Sequence, residues 1–66
     1  MEKYFLCFGA SIYQINLIKL LQKKKLKVIS VDRDINAPGM KISDIKIFLN
    51  VNNYGKIEKK LKNLNL

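Results

Sequence analysis

The sequence predicts an α/β fold built on a three-stranded parallel sheet flanked by helices, and three observations predict it. Short apolar runs at residues 4–8, 26–31 and 45–49 have the length of strands rather than helices. Two longer segments, 12–24 and 54–64, carry apolar residues at helical spacing. The resulting order is β-α-β-turn-β-α, and alternation of this kind implies parallel strands joined by crossovers.

In the first run, Tyr4, Phe5, Leu6, Cys7 and Phe8 form an unbroken apolar pentad. That pattern suits a strand covered on both faces, which places Tyr4, Phe5 and Phe8 in the expected core, with Phe48 further on. Gly9, Ala10 and Ser11 follow at once, small residues that let the backbone turn sharply and be approached closely. Ser11-Ile12-Tyr13-Gln14 fits the S-x-x-Q capping box. Ser11 Oγ would accept the N–H of Gln14, and the Gln14 amide would reach back to the N–H of Ser11. A helix is therefore expected from about Ile12 to Lys24, with Leu17, Ile18 and Leu21 sharing one stripe. Strand, tight turn and helix start together gather free N–H groups and the positive end of a helix dipole, a plausible cradle for an anion.

Val28, Ile29 and Val31 are β-branched and mark the second strand. Asp32-Arg33-Asp34 closes it with three charges, and Asn36-Ala37-Pro38-Gly39 reads as loop. Residues 40–44 have room for one helical turn. The third strand should turn Ile45, Ile47 and Leu49 to one face and Lys46 and Phe48 to the other. A polar turn at 50–53 ends on Asn53, a good N-cap for a helix from about Tyr54 to Leu64 with the stripe Ile57, Leu61 and Leu64.

Sixty-six residues allow one domain at most, here residues 1–66. A chain this short buries only ~60% of its unfolded surface. Scaffolds below ~70–80 residues usually carry disulfides, a metal or a partner. A single cysteine and no histidine exclude a disulfide framework or a zinc site within the lone chain. Cys7 is expected as a buried, reduced thiol. Met1-Glu2-Lys3 leads into only five apolar residues, so no signal peptide is expected. No apolar run nears the ~18 residues of a membrane span. A soluble, cytoplasmic chain without a membrane partner is the expectation.

Net charge is +8, from thirteen Lys and Arg against five Asp and Glu, and Arg33 is the one arginine. Such a charge can draw nucleic acid non-specifically through counterion release. The lysines group at 23–27 and 56–62, toward helix C-termini, where cations suit the dipole and keep the chain soluble. A solvated surface is thus preferred to specific nucleic-acid binding.

At these residues a family resemblance emerges. The first strand with Gly9-Ala10-Ser11, then Gln14, then Leu17-Ile18-Lys19 resembles the opening of ATP-grasp enzymes. Residues 28–34, Asn36-Ala37-Pro38-Gly39 and Ser43-Asp44 continue the likeness in order and spacing. The most similar branch is the carbamoyl-phosphate-synthase-like and biotin-carboxylase-like proteins, in their Rossmann-like N-terminal (pre-ATP-grasp) domain, and the likeness covers nearly the whole chain. The resemblance implies a Rossmann-like unit that lines the substrate side of a cleft in a carboxylate–amine or carboxylate–thiol ligase. Such enzymes activate a carboxylate as an acyl-phosphate with Mg-ATP, which two further domains grip. By position, Gly9, Ala10, Ser11 and Gln14 would meet a carboxylate or phosphate-bearing small molecule, with Asp32 and Arg33 beside them. No cofactor is implied for this chain itself, and no catalytic nucleophile–base pair is present.

A helix following the third strand normally returns to a further strand in such folds, so the unit is expected to be incomplete. Its open sheet edge would be covered by the remaining ATP-grasp domains or by a second copy of the chain. A small nucleotide-binding or oligomeric interaction module is the alternative. The dinucleotide fingerprint G-x-G-x-x-G would need glycine at 9, 11 and 14, where the chain has Gly9, Ser11 and Gln14. Asp32 stands at the spacing of the ribose-binding acid. Without a ligand, Ser11 and Gln14 serve as caps, Asp32 closes a loop and Arg33 is solvated.

Overall fold

A computed structural model describes residues 2–66. Strand β1 (Lys3–Phe8) is followed by a 3-10 turn (Ile12–Gln14), helix α1 (Ile15–Lys23) and strand β2 (Leu26–Val31). Helix α2 (Pro38–Ile42), strand β3 (Ile45–Ile47) and helix α3 (Tyr54–Asn63) complete the described chain. The strands lie in the order β1-β2-β3 and both pairings are parallel. Phe5 lies opposite Val28 and Ile29 opposite Ile45. This is a small Rossmann-like α/β unit, as the alternation of elements predicts.

Alternation along each strand sends successive side chains to opposite faces. On one face Cys7 of β1 and Val28 of β2 pack against Ile18 of α1, with Leu21 and Ile42 beside them. A second small group, Ala10, Ala37 and Met40, seals α2 against the end of β1. On the other face Ile29, Val31 and Ile47 pack against Ile57 of α3, flanked by Tyr4, Leu6, Ile45, Leu49, Val51 and Leu61. Leu49 thus faces the way its spacing from Ile45 and Ile47 predicts.

Four local expectations are corrected. The first turn after Ser11 is a 3-10 turn, and the α-helix proper starts at Ile15. The capping box is rearranged accordingly. Ser11 Oγ accepts the N–H of Tyr13 at 3.3 Å and donates its own proton to Gln14 Oε1. In the tighter turn the Gln14 N–H goes to the Ser11 carbonyl (3.0 Å) instead of the side chain. Pro38 and Gly39 belong to α2, not to a loop, with Pro38 in the first helical turn, where its missing N–H costs nothing. The aromatics expected in the core are largely outside it: Phe5, Phe8 and Phe48 are 40%, 50% and 47% exposed. β1 and β3 are both edge strands, so their flanks have fewer neighbours to cover them.

Every buried side-chain nitrogen and oxygen of the described residues has a hydrogen-bond partner. Ser43 Oγ donates to the Gly39 carbonyl at 2.7 Å, so its contact with Ser30 Oγ (2.5 Å) takes the Ser30 proton. These two hydroxyls carry a polar link through the α2 face of β2. No helix of the described chain is long and apolar enough to cross a membrane.

Candidate functional site

In a parallel sheet every strand delivers its C-terminal end to the same edge, and ligands of open α/β folds gather there. Here that edge is formed by Gly9 after β1, Asp32 and Arg33 after β2, and residues 50–52 after β3. Gly9, Asp32, Arg33, Asn50, Val51 and Asn52 line a cleft of about 420 Å³, within the range of ~300–1,000 Å³ common for small-molecule sites.

Gly9 is held at φ +88°, a left-handed conformation that side-chain-bearing residues rarely adopt. Its N–H donates to the Val31 carbonyl at 2.7 Å, carrying the β1–β2 pairing one residue past the strand. A Cβ at this position would meet nothing within 4 Å, so the backbone faces open space. Ala10 is fully buried; its N–H donates to Asp32 Oδ2 (2.9 Å) and its carbonyl accepts the N–H of Gly39 (2.7 Å).

Asp32 therefore builds the corner. One carboxylate oxygen holds the turn after β1, and the other accepts the N–H of Asp34 at 2.9 Å, an Asx turn that starts the next loop. Asp34 repeats the device on Asn36 N–H, also at 2.9 Å. The Asp32 N–H donates to the Ile47 carbonyl (3.1 Å), so the same residue also ties β2 to the end of β3. Each carboxylate oxygen retains lone pairs beyond these bonds.

Arg33, between the two aspartates, is exposed. The ion pairs among the described residues are Lys27–Glu2 (3.2 Å) and Lys62–Glu58 (3.1 Å), so Arg33 has no carboxylate partner there. Its planar fork at the cleft is free to take a carboxylate or phosphate through two parallel hydrogen bonds. Across the cleft Asn50 Oδ1 accepts the N–H of Asn52 (2.9 Å), which fixes the loop after β3 and leaves the Asn50 amide nitrogen as a donor.

Of the six residues picked from sequence, three line the cleft: Gly9, Asp32 and Arg33. Ala10 stands behind its wall as a structural member. Ser11 is exposed and Gln14 half-buried on the 3-10 turn, outside the cleft lining, where Ser11 Oγ donates to Gln14 Oε1. Asn50 and Asn52 were missed, because alone they read as a polar turn. The signal for them was topological: a third parallel strand must end at the same edge as the other two.

Cys7 is buried behind this corner and donates to the Gly9 carbonyl at 3.3 Å. Burial pushes its thiol pKa up, away from the thiolate a nucleophile needs. Among the described residues no group of three or more His, Cys, Asp or Glu side chains is placed to hold a metal ion. The carboxylates of Asp32 and Asp34 are oriented by backbone N–H groups into the turns. No step through a metal or nucleotide is assigned to this chain. The class defined at this point is a Rossmann-like α/β unit with a polar, arginine-bearing cleft at the C-terminal sheet edge. Comparison with known protein families, with curated proteins and with solved structures finds no match to the chain.

Proposed function

We propose that this unit is a substrate-side binding domain of the ATP-grasp type, presenting a small carboxylate- or phosphate-bearing molecule to nucleotide-gripping domains that complete the ligase. The observation that carries the proposal is the unpaired Arg33 fork in a cleft shared with Gly9 and Asn50, at the edge where parallel sheets bind ligands. Order and spacing of the motifs from Gly9 to Asp44 support it as a resemblance. In this arrangement Arg33 holds the anion, the Gly9 backbone allows close approach, and Asp32 keeps the corner in shape without touching the chemistry. The partner domains, or a second copy, would cover the open edge of β1.

The test is titration of the purified chain with succinate and with inorganic phosphate, followed by backbone amide NMR. Saturable shifts at Gly9, Asp32, Arg33 and residues 50–52 are expected. Arg33→Ala should weaken binding about tenfold or more, the loss of a hydrogen bond to a charged group. Shifts centred elsewhere, or binding indifferent to Arg33→Ala, would refute the proposal.

A further inference from the structure

A second concave surface lies beyond the end of β3 against α3, and its lining shares no residue with the cleft just described. Leu49, at the end of the β3 segment, forms the floor of a groove of about 330 Å³ whose wall is Lys56, Lys59, Lys60 and Asn63 of α3. At about 100° per residue these four positions of α3 share one arc of about 100°, beside the apolar stripe of Ile57 and Leu61. Glu58 falls outside that arc and is engaged with Lys62. No acidic side chain lines the groove, and neither ion pair of the described residues involves its three lysines.

Solubility and the helix dipole account for only part of this. Lys60 lies in the last turn of α3, where a cation is favoured, but Lys56 lies in the first turn, where it is disfavoured and no acidic residue offsets it. Lys56 and Lys60 stand four apart and Lys56 and Lys59 three apart, spacings at which like charges on a helix repel. Three lysines and a side-chain amide therefore line one concavity, and among the described residues no carboxylate is paired with those lysines.

We propose that this groove binds a phosphate polyanion, taken either as free oligophosphate or as the phosphodiester backbone of a nucleic acid. Lysine ammonium groups serve such a ligand as point charges, each with three donors, and Asn63 adds a neutral donor. Two or more linked phosphates are the matching charge; a single phosphate would leave part of the repulsion in place.

The experiment titrates the chain with tripolyphosphate and, separately, with a ten-nucleotide oligo(dT), reading amide shifts and affinity against salt. Saturable shifts over residues 56–63 are expected. The double variant Lys59→Gln/Lys60→Gln should weaken binding about tenfold, the combined effect of two screened contacts. A control of equal charge loss, Lys19→Gln/Lys23→Gln, should leave binding nearly unchanged, and so should Arg33→Ala. If oligo(dT) is the tighter ligand, its log affinity should fall with log salt at a slope near −2, about −0.7 for each of three lysines. Tighter tripolyphosphate binding assigns the groove to free oligophosphate. Equal weakening by both double variants would show diffuse attraction to net charge and overturn the proposal. Absence of saturable binding at low salt would do the same.

Discussion

The two faces of the sheet are built to different standards. On the α1 and α2 face, Ile18 and Val28 are completely buried, Met40 nearly so, and a hydroxyl pair links Ser30 to Ser43 and the Gly39 carbonyl. On the α3 face, Ile29, Val31, Ile47 and Ile57 form an apolar core in which Val31 too is completely buried. Its partly open margin of Tyr4, Leu6, Leu49 and Leu61 is wider than the Leu21 and Ile42 margin of the first face. The first face is closed by two helices and tied by side-chain hydrogen bonds. The second is covered by one helix whose outer surface is lysine-rich. The difference is one of cover: two helices and side-chain hydrogen bonds close one face, and a single helix closes the other.

The largest expected effect follows from that contrast. Ile18→Ala empties the centre of the closed face, where little can relax into the gap, and should cost about 3–5 kcal/mol, toward the top of the range for such truncations. Ile57→Ala, on the face with open margins, should cost roughly 2–3 kcal/mol. A domain of this length has roughly 3–10 kcal/mol in all, so the first variant should lie nearer to unfolding than the second. Urea unfolding of both checks the order. Equal losses would mean that the faces do not differ in packing.

A mid-sized effect is expected at Gly39. A Cβ placed there would lie 2.8 Å from the Ala10 carbonyl oxygen and 3.0 Å from Ile18 Cδ1. The Ile18 methyl can shift, but the Ala10 oxygen is backbone and also accepts the Gly39 N–H at 2.7 Å. Gly39→Ala should therefore destabilise by about 1–3 kcal/mol despite the better helix propensity of alanine. Gly55→Ala, in α3 with nothing within 4 Å of its new Cβ, should be neutral or slightly stabilising. Thermal denaturation of the pair separates close packing on one face from open space on the other.

These same positions show what was legible in the sequence. The order of elements along the chain and the parallel direction of the strands followed from apolar runs and their alternation, because periodicity is a local property. The Asn53 cap was legible for the same reason, its Oδ1 accepting the Lys56 N–H at 3.4 Å. Pro38-Gly39 was not, since the pair suits both a turn and a helix start. What decides for the helix is a tertiary contact, the approach of Gly39 to Ala10. Phe5, Phe8 and Phe48 misled because hydrophobicity records a preference for burial, and edge strands here offer too little cover to satisfy it. In the cleft, Asp32 and Arg33 could be picked by their place after a strand. That Asp32 would spend two bonds on backbone N–H groups, leaving Arg33 as the free charge, depends on distances that no spacing rule supplies.

The smallest effect concerns how the closed face is tied to β3. Asp44 stands just before that strand; its carboxylate accepts the N–H of Val28 at 2.8 Å and the amide of Gln22 in α1 at 3.1 Å. The Val28 N–H, with lesser help from Gln22 and the nearby Lys27, holds the Asp44 carboxyl below its ordinary pKa. A carboxylate whose pKa is depressed on folding contributes stability that is fully present above its unfolded value, near ~3.9. That contribution is lost as pH falls through the lower, folded value. Glu2 behaves alike, its carboxyl lowered by the Tyr4 hydroxyl of β1 and by Lys27 of β2, but it is exposed and ties no helix to the sheet. The chain should therefore lose stability below about pH 4, and Asp44→Asn should flatten part of that acid limb while lowering stability near neutrality. Glu2→Gln should flatten only the remainder. Urea midpoints measured from pH 2 to pH 7 decide the matter: an acid limb unchanged by Asp44→Asn would mean that the tie between α1, β2 and β3 does not depend on that charge.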